Sequence, residues 1–215
     1  MPGISTDYKV DFVHKDVIAE TALRLRELAG NENLAYFDIV DFVERVLRPE
    51  ARRPFNLNLI KTALGETPAY VDFNPLTLHV DDEVWQDARD GDPMARFIIA
   101  HEIGHLILHD HRAKAFSNDP AERIQYAQPE YSTEWQAHTF AYYFLVPDRI
   151  AAAFNDIHQL AAACGITKEI ARERIAMSPN LARRHSAREA GFCSHCGNFS
   201  LSPSGVCLSN ACSHK

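Results

Sequence analysis

His101-Glu102-Ile103-Gly104-His105 places two imidazoles one helical turn apart, with a carboxylate between them, inside a stretch that carries the marks of a helix. Asp92 suits the N-cap, Pro93 the first helical position, and Phe97, Ile98, Ile103, Leu106 and Ile107 supply apolar faces. Side chains at i and i+4 stack on one face, so His101 and His105 can reach a single ion. Glu102 lies about 100° around the helix from His101, poorly aimed as a ligand but placed to take a proton from a neighbouring water. Gly104 costs about 1 kcal/mol relative to Ala inside a helix, so its presence predicts that another backbone comes close there.

This is the ligand-and-base spacing of a zinc-dependent peptidase; the structural alternative is a pair of hydrogen-bonded histidines on a core or surface helix. An open zinc site needs a third protein ligand. His111 stands where the HExxHxxGxxH pattern puts a third histidine, but that pattern breaks the helix with glycine at position 108, which here is Leu108. Leu106, Ile107 and Leu108 continue the apolar pattern. The helix is therefore expected to run on, carrying His109 and His111 away from the ion to its C-terminus, where an imidazole favours the dipole. The other source is the segment 132–141, in which Glu134, Ala137, His138, Ala141 and Leu145 form one stripe at helical spacing. Ala137 and Ala141 are small enough to let this second helix lie on the Gly104 face of the first, bringing Glu134 to the ion. Alternatively Thr133 caps the second helix with Gln136 in a capping box, and Glu134 is an acid in its first turn. Pattern leaves both readings open.

A helix with His101 to His105, a spacer of a few tens of residues, then Glu134-x-x-Ala137-x-x-Phe140-Ala141 and Leu145-Val146-Pro147 resembles the ImmA/IrrE family of metallopeptidases, over roughly residues 15 to 180. The resemblance implies a zincin-like metallopeptidase domain with Glu134 as third ligand of a catalytic zinc held by His101 and His105. It implies a site-specific endopeptidase that cleaves a helix-turn-helix transcriptional repressor and so switches on stress-response, phage-defence or mobile-element genes. Zinc in that site keeps a position open for water and lowers its pKa to about 7, and Glu102 acts as the base. Relatives commonly carry Asn where this chain has His138, one turn from Glu134. His138 is a second catalytic candidate, to orient that carboxylate, to bond the oxyanion, or to add a ligand; Tyr142 and Tyr143 are further oxyanion donors.

The rest of the chain frames this site. Its 215 residues suit one sizeable domain, expected at 1–185, and a small module at 186–215. No apolar run approaches a membrane span, and the first sixteen residues lack a secretory segment, so a cytoplasmic protein is expected. Lys+Arg 22 against Asp+Glu 29, a net charge of −7, argues against a uniformly basic nucleic-acid surface. Residues 15–30 and 34–47 read as amphipathic helices; after them come 56–61 and two short extended runs, 69–73 and 76–80, separated by the turn signal Asn74-Pro75 and expected to form a small sheet beside the motif helix. An edge strand there suits an extended substrate held by backbone pairing; the alternative is a hairpin that serves only as a lid on the core. The fold class is α+β, mostly helical. Residues 112–131 read as an irregular loop bordering the cleft. Around 157–177 a helix, a Gly165 turn and a second helix are expected: either a DNA-binding pair with Lys168, Arg172 and Arg174 on phosphate, or a packing pair, the reading favoured by the balancing Glu169 and Glu173. Cys164 reads as a small buried residue.

The tail follows other rules. Cys193, Cys196, Cys207 and Cys212 give C-x2-C-x10-C-x4-C among Gly and Ser, with little apolar content to make a core. Four thiolates on a structural zinc supply the missing stability, which makes a zinc ribbon; disulfides are the alternative. Two zinc ions per chain are thus expected. Arg183, Arg184 and Arg188 give the module and its linker a positive face suited to single-stranded or duplex DNA. Two function classes emerge: a metallopeptidase acting on a repressor, and a non-catalytic DNA- or protein-binding regulator with two structural zinc sites. Glu102 separates them, since a closed structural site has no use for a base.

Overall fold

The computed structural model describes residues 9–48, 54–109, 128–178, 191–193 and 198–201. Helix α1 (Lys15–Leu28) starts where the His14 ring accepts from the Asp16 amide. The single helix expected at 34–47 is shorter: the Asp38 side chain accepts from the Asp41 amide and sets the start of α2 (Ile39–Phe42), which widens into a π-helical turn at Val43–Leu47. Strands β1 (Asn56–Ile60), β2 (Ala69–Phe73) and β3 (Leu76–Asp81) follow. Their order is β1-β3-β2, with β1 parallel to β3 (Leu57 opposite Leu78) and β2 antiparallel to it (Val71 opposite Leu78). Ala69, Val71 and Phe73 point inward and Tyr70 and Asp72 outward, the period of two of a half-covered strand.

Helix α3 (Asp82–Arg89), not anticipated from the sequence, begins at Asp81, whose carboxylate accepts from the Glu83 amide, and buries Trp85 and Ala88. The remaining helices are α4 (Pro93–Leu108), α5 (Thr133–Leu145), α6 (Asp148–Ala153), α7 (Ile157–Cys164) and α8 (Lys168–Ala176). Helix α5 packs on both α4 and α1, and the sheet meets α4 through β2. The architecture is α+β and mostly helical, as the sequence patterns indicate. At its centre the rings of Phe37, Phe42, Phe140 and Phe144 are fully or almost fully buried, with centroids of Phe144 at 4.7, 5.2 and 5.2 Å from the other three. Losing one such ring to Ala costs about 3–5 kcal/mol.

Three arginines fasten helix ends to this core. Arg26 donates to the carbonyls of Phe144 (2.8 Å), Asn31 (3.1 Å) and Leu34. Arg96 donates to Cys164 O (2.9 Å), Gly165 O and Phe37 O (2.8 Å). Arg174 Nε donates to Val146 O at 2.7 Å. Gly165 turns the chain between α7 and α8 in the left-handed region (φ 60), and a Cβ there would strike the Arg96 guanidinium. The pair α7–α8 buries Leu160, Ala161, Cys164, Ile170, Ala171 and Ile175, so it packs as part of the domain. Arg174, weighed above as a phosphate contact, is fully buried and unavailable to one, and Arg172 pairs with Glu169 at 3.5 Å. Strand β4 (Gly191–Cys193) pairs antiparallel with β5 (Asn198–Leu201). The boundary expected near 185 lies outside the described residues.

Candidate metal centre

The Asp92 carboxylate accepts from the amides of Met94 (2.9 Å) and Ala95 (2.8 Å), and Pro93 opens the helix, so α4 starts where its capping residues dictate. Helix α5 starts one residue earlier than a Thr133 cap implies. Ser132 is the N-cap, its hydroxyl accepting from Trp135 N at 3.0 Å, and Gln136 takes no part in a capping box. The two helices meet at Gly104: a Cβ built there would lie 3.0 Å from Ala137 Cα, 3.0 Å from Ala137 O and 3.2 Å from Phe140 Cβ. Backbone cannot yield as a side-chain tip can. The glycine thus permits the approach that its cost in a helix predicts, and the approach brings α5's first turn over His101 and His105.

Glu134 lies across from both imidazoles. Its carboxylate is 3.2 Å from His101 Nε2 and 3.5 Å from His105 Nε2, and the two Nε2 atoms are 3.0 Å apart. The side chains retain 12, 16 and 30% of their exposure, so the cluster is sheltered with a solvent-facing side. Zinc with bonds of about 2.0–2.1 Å in tetrahedral geometry sets its ligand atoms about 3.4 Å apart. The three separations bracket that value, and the donor set of two imidazoles and a carboxylate suits zinc. His101 Nδ1 is buried with no hydrogen-bond partner among the described residues. Glu102, 8% exposed, has a carboxylate oxygen within 4.8 Å of the ring nitrogens of His101 and His105, a span that one water bridges.

Burial pushes the His101 ring pKa down, reinforced by His105 and opposed by Glu134. Burial alone would raise the Glu134 carboxyl; the two facing imidazoles outweigh it and hold the group well below the usual carboxylate range. Both shifts favour the ligating forms, neutral imidazole and carboxylate. His138 also borders the cluster, and a donor atom of each of His101, Glu134 and His138 lies within 4.8 Å of the others. Its Nδ1 donates to the Glu134 carbonyl at 3.0 Å and its ring stands edge-on to His101 at 4.4 Å, leaving Nε2 for any role in the site. The Tyr142 hydroxyl donates to Glu173, and Tyr143 is buried beneath the Arg174 guanidinium. Neither hydroxyl is presented to the cluster as an oxyanion donor.

The end of the motif helix and the role of His109 differ from the expectation. The motif helix does not run past Leu108: His109 is its C-cap, in extended conformation (φ −117, ψ 138), and its ring folds back onto His105, Nδ1 to Nδ1 at 3.1 Å. Nor does His109 serve the helix dipole, which rewards a charged ring: burial, with His105 second, pushes its pKa down to about 4. Its Nε2 meets Gln136 Oε1 at 3.1 Å. The i,i+4 spacing of His105 and His109 was the available signal. His111, most of the 112–131 loop, the candidate arginines Arg183, Arg184 and Arg188, and Cys196, Cys207 and Cys212 lie outside the described residues; of Cys193 only its place at the end of β4 is described.

Residues 72–176 match the Peptidase_M78 family model, the IrrE N-terminal-like domain, a span that contains His101, Glu102, His105 and Glu134. The match points to a peptidase. No curated protein matches the chain. Among solved structures it is similar to a Mycobacterium tuberculosis transcriptional regulator, with 16% identity and a TM-score of 0.51, over 75% of this chain and 46% of that one. At that identity the likeness is one of fold, and the chain spans less than half of that regulator's length.

Proposed function

We propose that this chain is a zinc-dependent site-specific endopeptidase whose substrate is a helix-turn-helix transcriptional repressor, so that cleavage releases stress-response, phage-defence or mobile-element genes. The observation that carries the reading is the convergence of His101 Nε2, His105 Nε2 and the Glu134 carboxylate, with Glu102 beside them, inside the segment that matches a peptidase family. Zinc bound there supplies a Lewis acid that polarises a carbonyl and lowers the pKa of water to about 7. Glu102 accepts the proton of the water that attacks the scissile carbonyl and delivers it to the leaving nitrogen, so the peptide bond breaks with no net proton change at the carboxylate. His138 offers Nε2 at the rim, to bond substrate or developing oxyanion. A repressor substrate is supported by the fold shared with a transcriptional regulator.

The tail is proposed to hold a second, structural zinc through Cys193, Cys196, Cys207 and Cys212. The support for this reading is that Cys193 is the last residue of β4, which pairs antiparallel with β5. Arg183, Arg184 and Arg188 are proposed to meet nucleic acid beside that module, as a regulatory contact.

The test is incubation of purified protein with the helix-turn-helix repressor encoded beside it. Wild type is expected to cut it at one site, and Glu102→Gln to leave it whole while keeping its metal. Equal cleavage by both would overturn the assignment of Glu102 as the base, and cleavage by neither with DNA added supports instead a regulator that binds without catalysis.

A further inference from the structure

Hydrogen-bond direction can be followed inward to the site from two main-chain carbonyls. The Gln136 amide nitrogen lies 2.9 Å from Asp11 O and 2.7 Å from Glu130 O. Carbonyls only accept, so both N–H groups of the amide are engaged and its Oε1 must be the atom that faces His109 Nε2 at 3.1 Å. An amide oxygen also only accepts. His109 Nε2 therefore carries the ring proton, and Nδ1 of the neutral ring is a bare lone pair. That lone pair faces His105 Nδ1 at 3.1 Å, so His105 must be the donor and its own proton sits on Nδ1. What remains on His105 is an Nε2 lone pair, aimed at His101 Nε2 and Glu134.

We propose that His109, clamped by Gln136, is a positioning residue that fixes the tautomer and ring orientation of His105 and so sets the affinity of the metal site. The inference rests on the metal-site reading above and names what prepares one of its ligands. His101 has no comparable partner at Nδ1 among the described residues, so the preparation is one-sided. The clamp also joins the site to the chain's start: Val10 N donates to Tyr131 O at 2.8 Å, and Lys9 pairs antiparallel with Ser132, the residue that caps α5. Displacing residues 9–11 would remove Asp11 O, one of the two acceptors that hold the Gln136 amide in this orientation.

Zinc affinity of the full chain, by competition with a chromophoric chelator, tests this alongside circular dichroism to establish folding. His109→Phe fills the space without an acceptor and is expected to weaken zinc binding about 10–100-fold, the range for an orienting partner of a metal-bound histidine. His109→Gln is expected to recover most of the loss, since its carbonyl can accept from His105 and its amide can donate to Gln136. Nitrogen-15 spectra of histidine-labelled wild type should show His109 protonated at Nε2 and His105 at Nδ1. A folded His109→Phe protein with wild-type affinity, or His109 protonated at Nδ1, overturns the inference while leaving the metal site intact. A wild type that binds no metal at His101 and His105 overturns the site reading and this inference together.

Discussion

Arg174 is fully buried, its guanidinium 3.9 Å from the centroid of the Tyr143 ring and bonded to Val146 O, Ser178 and Asp148. Burial alone raises the Asp148 carboxyl, but Arg174 and then Ser178 outweigh it and hold it below the ordinary carboxylate range. The folded chain therefore keeps Asp148 ionised to lower pH than the unfolded chain does. Stability from this pair is present above about pH 4 and is lost as the pH falls further. Asp148→Asn is expected to lower stability to urea at pH 7 and to flatten its decline below about pH 4; superimposable curves for the two proteins would show that the pair contributes nothing. Cys164 offers a second single-residue check. It is fully buried and its thiol is pushed up to about 11 by burial, so it should resist a disulfide-exchange reagent at pH 8 until the chain is unfolded. Ready reaction in the native protein would mean that α7 opens. Cys164 is legible as a small buried side chain and the packing pair as the favoured reading of 157–177, whereas the charge of Arg174 hides its place on the buried stripe Ile170, Ala171, Arg174, Ile175.

Between elements, the contact of α4 with α5 decides whether a site exists, because His101 and His105 ride on one helix and Glu134 on the other. Gly104→Ala adds a methyl 3.0 Å from Ala137 backbone atoms, where nothing can rotate away. The helix gains about 1 kcal/mol from losing a glycine, and overpacking costs about 1–3 kcal/mol. A net loss of stability is expected, with a larger proportional loss of zinc affinity as Glu134 is pushed back; thermal denaturation and metal titration read the two. An unchanged melting temperature with unchanged affinity would mean that the helices are not in contact there. The glycine, the alanines and the start of α4 were all readable in the chain because each has a local cause. The cap of α5 was not: Ser132 and Thr133 are adjacent hydroxyls, and the register is settled by Ser132 sitting against Lys9, more than 120 residues away in sequence. The end of α4 was missed for the same reason, since His109 leaves the helix to meet Gln136 on α5. Helix α3 does carry a local signal, the cap Asp81 ahead of Val84, Trp85 and Ala88.

For the molecule as a whole, one core organised around Phe37, Phe42, Phe140 and Phe144 supports the helices that carry the site, and among the described residues no helix is long and apolar enough to cross a membrane. Fold class and the meeting of the two histidines with Glu134 were foreseeable; the clamp through Gln136 to Asp11 was not, because it joins three separated stretches of chain through hydrogen bonds that leave no periodic trace. Two zinc ions per chain are expected, held independently: Cys207→Ser should release one and leave repressor cleavage measurable at saturating zinc if the ribbon is structural only. The decisive measurement is the zinc retained per chain by wild type and by Glu134→Ala after dialysis against a moderate chelator, with helical circular dichroism recorded for both. One ion fewer in a folded Glu134→Ala protein is the expected result; the wild-type count in that variant would contradict a cation held between α4 and α5 by His101, His105 and Glu134.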